Sequence, residues 1–122
     1  MSVHFVALWK KTDNEDWYQL NEVDTIKKNM EYYECVYVLW DDSSNNILKV
    51  GHGVFSDKIQ EYKDDYLIQK HQKSGKVNIT WAMFPDNLLD GVAAYLDYKL
   101  KPSLGKRHPL DFLIPVNLPL EV

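Results

Sequence analysis

The sequence predicts a small α/β domain of the α+β kind, in which helices flank a mixed, mainly antiparallel sheet. The chain has 122 residues, a length that favours one domain around one core. Hydrophobic residues make up 45% of it, which is enough to fill such a core. Segments with the two-residue period of strands are interleaved with segments of helical period, an order typical of a small sheet covered by helices.

The start of the chain predicts a hairpin and a short helix. Residues 3–9 alternate between two faces, and residues 17–23 can return beside them after a polar turn. We therefore expect an N-terminal hairpin over residues 3–23. Residues 24–34 are charged and rich in helix formers, so they predict a helix with Asp24 as its N-cap.

The next segment predicts two strands around a polar turn. Residues 36–40 are β-branched and aromatic, and residues 47–50 form a second apolar run. Gly51 and Gly53 follow, where the backbone can adopt conformations that other residues avoid.

A helix is predicted after these glycines, because Ser56 or Asp57 can accept hydrogen bonds from the exposed amides of a first turn. It should end before residue 74. Its apolar stripe is formed by Phe55, Ile59, Tyr62 and Tyr66.

The last third of the chain predicts a strand, a helix and an extended tail. Residues 77–84 alternate as a strand, and a helix should begin at Asn87 with Asp86 as its cap and stop at Pro102. Its buried stripe is formed by Leu89, Val92, Ala93, Leu96 and Leu100. Residues 109–122 contain three of the five prolines and predict an extended strap.

A single domain over residues 1–122 is the predicted organisation. It comprises an N-terminal extension (1–34), a core (35–108) and the C-terminal strap (109–122). No repeat, low-complexity segment or linker interrupts the sequence.

Composition excludes several classes of protein. The single cysteine, Cys35, excludes a disulfide framework and a cysteine-based zinc site, and it is expected to be a small core residue. The four histidines show no metal-ligand spacing, so no cofactor is expected. There is neither an apolar run of about 20 residues nor a signal-peptide pattern, so we expect a cytoplasmic protein without a membrane partner.

The charge is unevenly distributed. The net charge of −4 argues against general binding of nucleic acid, and residues 1–69 hold 13 of the 18 acidic residues. Residues 99–108, in contrast, hold four basic residues and no acid. A local basic patch for DNA or RNA and an ordinary solvated helix end are both compatible with this pattern.

Residues 36–53 resemble the hairpin of the GIY-YIG nuclease superfamily. In that family the first strand carries Gly-Ile-Tyr and the second Tyr-Ile-Gly. Here Val36-Tyr37 stands near the end of the first motif, and Lys49-Val50-Gly51 takes the place of the second. Lys58 lies seven residues beyond Gly51, where the family has an arginine on the following helix.

The resemblance extends over about residues 35–119, because the later elements follow in the same order. In the family a strand precedes a helix whose glutamate lies nine residues before a proline. Here Pro102 fits that proline, and Ala93 falls at the position of the glutamate.

The resemblance implies metal-assisted phosphodiester hydrolysis, in which the glutamate holds Mg²⁺ or Mn²⁺ and the arginine steadies the phosphate. Tyr37 retains the first tyrosine, whereas Lys49 replaces the second and Lys58 replaces the arginine. Lysine keeps the charge of arginine but loses its bidentate geometry.

The metal ligand is the clearest departure from the family. Alanine at position 93 cannot hold a metal ion, and Asp90 and Asp97 are weak substitutes that lie about one helical turn away. Either the chemistry has been lost, or the site has been rearranged, or Ala93 is an introduced substitution.

Three functions therefore remain open. The leading one is a non-catalytic protein that binds nucleic acid, or another phosphate-bearing or acidic partner, through Tyr37, Lys49, His52 and Lys58. The basic residues of the last third would extend that surface: Lys99, Lys101, Lys106 and Arg107. The alternatives are a metal-dependent endonuclease with a rearranged site and a protein–protein interaction module built on Trp9 and Trp17.

Overall fold

The computed structural model describes residues 5–24, 30, 32–74, 76–105 and 112–120. The elements in chain order are β1 (Tyr18–Gln19), a 3-10 helix (Leu20–Glu22), β2 (Glu34–Asp41), β3 (Asn46–Val54), α1 (Phe55–Asp64), α2 (Tyr66–Ser74), β4 (Val77–Met83) and α3 (Asp86–Leu100). The four strands form one antiparallel sheet in the order β1-β4-β2-β3. The predicted α+β architecture, a sheet flanked by helices, is confirmed.

Strand β2 is central and is covered on both faces. It pairs with β3 and with β4, so that Tyr37 lies opposite Gly51 on one side and Trp81 on the other. All seven residues after Glu34 are buried, which explains why this strand reads as an almost uninterrupted apolar run.

The two faces of the sheet carry separate hydrophobic clusters. On the first, which we call the α3 face, α3 packs against Val36, Val38 and Trp40, and the tail adds Ile114 and Val116. The whole predicted stripe of α3 is buried there: Leu89, Val92, Ala93, Leu96 and Leu100.

On the second, which we call the α1 face, the side chains of Phe55, Ile59 and Tyr62 from α1 pack against Tyr37 and Cys35 of β2. Burial raises the pKa of the Cys35 thiol to about 11, in agreement with the expected core role. Because successive side chains of a strand point to opposite faces, the sequence position of a residue on β2 or β3 decides which cluster it joins.

The single helix predicted after the glycines is divided at Asp65. The backbone of Asp65 is extended (φ −73°, ψ 117°), and its Oδ1 accepts hydrogen bonds from the N–H groups of Leu67 and Ile68 at 2.9 and 3.2 Å. This satisfies amides of the first turn of α2. Tyr66 is therefore 72% exposed, and its assignment to the buried stripe was wrong.

The predicted N-caps were also wrong. Val54 precedes α1, and Ser56 and Asp57 lie inside its first turn. Likewise Asp86 is the first residue of α3, which Pro85 precedes. In neither helix does the capping residue make a side-chain hydrogen bond to the first turn.

The N-terminal hairpin does not form in the described residues. Phe5 makes an isolated parallel bridge to Val116, and the side-chain amide of Asn117 bonds both the N–H and the C=O of Ala7, at 2.6 and 3.0 Å. Strand β1 pairs with β4 instead. The tail thus takes the place expected for residues 17–23. The other predicted element of this region, the helix over 24–34, falls largely on residues 25–29 and 31, which lie outside the described part, and Glu34 belongs to β2.

The outer edge of the sheet is partly covered by the loop after α3. The N–H groups of Ser103 and Leu104 donate to the carbonyls of Ile47 and Leu48 on β3, at 3.0 and 2.8 Å. These hydrogen bonds satisfy two backbone carbonyl groups at a sheet edge that would otherwise be unpaired. Within the described ranges, no helix has the length and apolar character required to span a bilayer.

Candidate functional site

Two glycines inside β3 bring α1 close to the sheet. The strand continues to Val54, four residues beyond its predicted end, so Gly51 and Gly53 lie within it. A Cβ at Gly51 would overlap the phenol oxygen of Tyr62, and one at Gly53, where φ is 151°, would lie 2.9 Å from Cδ of Lys58. The absence of side chains at both positions therefore lets Tyr62 and Lys58 rest on the strand backbone.

Tyr37 is a core residue. Its hydroxyl donates a hydrogen bond to the carbonyl of Gly53 at 3.2 Å, and its ring packs 6.5 Å from that of Phe55 and 5.8 Å from that of Tyr62. Burial raises the pKa of the Tyr37 phenol well above its usual range. The phenol thus stays protonated and is turned toward the protein backbone.

Lys49 and Lys58 converge on one aromatic ring. Their Nζ atoms lie 5.6 and 5.2 Å from the centroid of the Tyr62 ring, within the range of a cation–π interaction. Both stems are packed, since Lys58 lies against Gly53 and Cε of Lys49 would be 3.3 Å from a Cβ at Gly105. The side chains remain 22% and 20% exposed. We call Lys49, Lys58 and the Tyr62 ring the two-lysine site.

Each lysine of this site has an acidic neighbour. Nζ of Lys49 lies 3.7 Å from Oδ2 of Asp65, and Nζ of Lys58 lies 2.9 Å from Oε2 of Glu61. Ion pairs at a protein surface are typically worth about 0–1 kcal/mol. An incoming anion can therefore exchange with these carboxylates at small cost.

The three positions considered for a metal ligand lie on the other side of the sheet. Ala93 is buried in the α3-face cluster, Asp97 is buried on α3, and Asp90 accepts from Nε2 of His52 at 2.8 Å. In the described residues no group of three or more His, Cys, Asp or Glu side chains could hold a metal ion. The donor set implied by the resemblance does not fit a divalent ion here.

His52 does not join the two lysines. It lies opposite Val36 in the register and contacts α3 through Asp90, so it belongs to the α3 face, whereas Lys49 and Lys58 belong to the α1 face. The expected surface of Tyr37, Lys49, His52 and Lys58 is therefore divided by the sheet.

The other predicted basic residues lie at the end of α3. Lys99 is exposed, with its Nζ 5.9 and 5.8 Å from the ring centroids of Tyr95 and Tyr98, and Lys101 is exposed in a left-handed conformation. The loop that follows leads to the edge of β3 beside Lys49. The remaining two, Lys106 and Arg107, are outside the described residues.

Sequence reasoning missed the acids and the ring of the two-lysine site. The i, i+3 spacing of Lys58 and Glu61 was a usable signal for their pairing. Asp65 had no such signal, because its position beside Lys49 depends on the break between α1 and α2. Tyr62 was recognised as a core residue but not as the platform for two cations.

A separate polar pocket of about 290 Å³ opens at the other end of the sheet. It is lined by Asp16, Trp17, Gln19, Asp42, Lys76 and Asn78. The Asn78 amide already donates to Asp42 at 3.0 Å, and the two carboxylates outnumber the one ammonium. This pocket is less suited to a phosphate than the two-lysine site.

Comparisons of this chain with models of protein families, with curated proteins and with solved structures found no match. Membership of the GIY-YIG superfamily therefore stays a prediction from the sequence.

Proposed function

We propose that this protein is a non-catalytic binding domain that holds the phosphate groups of nucleic acid, or of another phosphate-bearing or acidic partner, at the two-lysine site. The observation that carries the proposal is the convergence of Lys49 and Lys58 on the ring of Tyr62. Both stems are already packed, so less side-chain entropy is lost when an anion binds than with two free surface lysines.

Two further observations favour binding over cleavage. The position implied for the metal ligand is a buried alanine, and acids on α3 lie behind the sheet. The Tyr37 hydroxyl, which would have to assist the nucleophile, is buried and bonded to Gly53. Neither group is placed to act on a phosphate held by the two lysines.

Salt-dependent binding to short DNA and RNA tests the proposal. If the two lysines neutralise two phosphates of a duplex, the slope of log K against log [salt] should be about −1.8. The double substitution Lys49→Ala and Lys58→Ala should abolish this binding. Lys70→Ala is the matched control, because Lys70 lies over the ring of Tyr66 at 5.4 Å on the neighbouring helix but outside the site. Circular dichroism would verify that all variants are folded.

No binding of duplex, single strand, mononucleotide or inorganic phosphate at low salt, or binding unchanged in the double variant, would refute the proposal. A plasmid cleavage assay with Mg²⁺ or Mn²⁺ distinguishes the endonuclease alternative. We expect no cleavage. Plasmid cleavage by the wild type that is lost in Tyr37→Phe would favour a working enzyme.

A further inference from the structure

We infer that the two-lysine site takes a compact phosphate monoester, such as a mononucleotide or the 5′-phosphate of a strand end, and not the continuous backbone of a duplex. This inference rests on the proposed function and narrows its ligand class. It follows from the charges around the site and from the number of charges that the two lysines can match.

The surface around the two lysines is acidic. Residues 57–65, which cover most of α1 and the residue after it, contain four acids and two lysines. One of those lysines, Lys63, donates a hydrogen bond to the carbonyl of Val23. The acids are Asp57, Glu61, Asp64 and Asp65. A duplex carries one negative charge per ~1.7 Å of its axis, so one that reached the site would bring further phosphates against these carboxylates. Like-charge contacts of this kind disfavour a partner.

A monoester matches the charge of the two lysines and brings no further phosphates against the other carboxylates. A terminal phosphate carries about −1.5 to −2 at pH 7, whereas each backbone diester carries −1. Lys49 and Lys58 both lie over one ring, and each has one carboxylate neighbour. One dianion supplies as much negative charge as Asp65 and Glu61 together, whereas one diester supplies only half of it.

The internal carboxylates compete with the ligand. Glu61→Gln and Asp65→Asn remove this competition, so each should tighten binding of a monoester by about two- to fivefold, in line with the small strength of exposed ion pairs. Gln60→Glu is the control: it adds an acid to the same helix beside Asp64, to which the Gln60 amide donates, and should leave monoester binding within about twofold.

Paired oligonucleotides give the decisive comparison. A short single strand with a 5′-phosphate and the same strand with a 5′-hydroxyl would be titrated into the full chain, with adenosine monophosphate and inorganic phosphate as competitors. We expect the phosphorylated strand to bind at least about tenfold tighter. The difference should vanish in the Lys49→Ala, Lys58→Ala double variant and persist in Lys70→Ala.

The outcomes separate the two proposals. Equal binding of both strands, lost in the double variant, overturns the monoester inference and leaves phosphate binding intact. No binding of either strand or of the competitors overturns both. If adenosine monophosphate displaces the phosphorylated strand at similar concentrations, a free nucleotide is a sufficient ligand. If adenosine monophosphate does not displace it, the ligand is a strand end. Both results support a monoester ligand.

Discussion

Gly51 lies within the edge strand β3 and faces the buried phenol of Tyr62. A Cβ at this position would overlap the phenol oxygen, while the next atoms, Cζ of Tyr62 and Cε of Lys58, would be at 3.6 and 3.8 Å. Only the hydroxyl stands in the way of a methyl group. Gly51→Ala should therefore be costly in the wild type and tolerated in a Tyr62→Phe background.

The magnitudes can be worked from these contacts. Forcing a methyl group into a packed core usually costs about 1–3 kcal/mol. Once the hydroxyl is removed, the remaining distances are ordinary van der Waals contacts, and alanine in a strand is favoured over glycine by about 0.5–1 kcal/mol. We expect a coupling free energy of about 2 kcal/mol or more between the two positions.

Tyr62→Phe alone should leave stability unchanged or raise it. The Tyr62 hydroxyl is buried and has no hydrogen-bond partner among the described residues. A buried unsatisfied group costs about 1–3 kcal/mol, and removing it relieves that cost. Tyr37→Phe is the internal comparison, because its hydroxyl does have a partner, and we expect it to lose about 1 kcal/mol.

Urea denaturation of the wild type, the two single variants and the double variant measures the cycle. The change should be in the midpoint and not in the m value, since the surface exposed on unfolding is nearly the same. An equal cost of Gly51→Ala in both backgrounds would refute the assignment of the clash to the Tyr62 hydroxyl. A large loss in Tyr62→Phe would show that this hydroxyl has a partner.

Three further predictions concern residues outside that cycle. Ala93→Glu should lower the free energy of unfolding in urea by about 3–5 kcal/mol, because it places an unpaired carboxylate in the α3-face cluster. It should produce no metal-dependent plasmid cleavage, and wild-type stability in this variant would contradict the burial of position 93. Lys101→Gly should raise the melting temperature and the free energy of unfolding, the latter by up to about 1 kcal/mol, because Lys101 has φ 50° and glycine adopts this conformation without strain. Lys101→Ala, the control, should not raise either. Hydrogen bonds from Ser43, and then one from His71, hold the pKa of Asp41 below its usual value. The stability that the Asp41 carboxylate contributes is therefore complete above about pH 4 and is lost as the pH falls through its lower folded-state pKa. In denaturation experiments between about pH 5 and pH 2, Asp41→Asn should lose less stability than the wild type.

Elements with strong local periodicity were predicted well. The strand expected over 77–84 is β4, and the stripe expected on the last helix is buried in full. Periodicity reports which side chains share a face, and that information is local. The extent of β3 was underestimated because glycines usually weaken strands, while here they accommodate α1.

Features that depend on distant partners were predicted poorly. The N-terminal segment alternates like a hairpin strand, yet its backbone is bonded by Asn117, which is 110 residues away. At the break between α1 and α2 the sequence shows only one more polar residue, Asp65, within a helical pattern. The chain turns there because of the tertiary position of α2.

The sequence by itself determined the α+β class, the central strands and the buried stripe of α3, because residue type and spacing are properties of a local segment. Only the tertiary structure decided that Lys49 and Lys58 both lie over the ring of Tyr62 while His52 points to the opposite face. The physical reason is that a strand alternates its side chains between two faces, so neighbours in sequence are separated by the sheet, and residues on different elements become neighbours only when both pack on the same face.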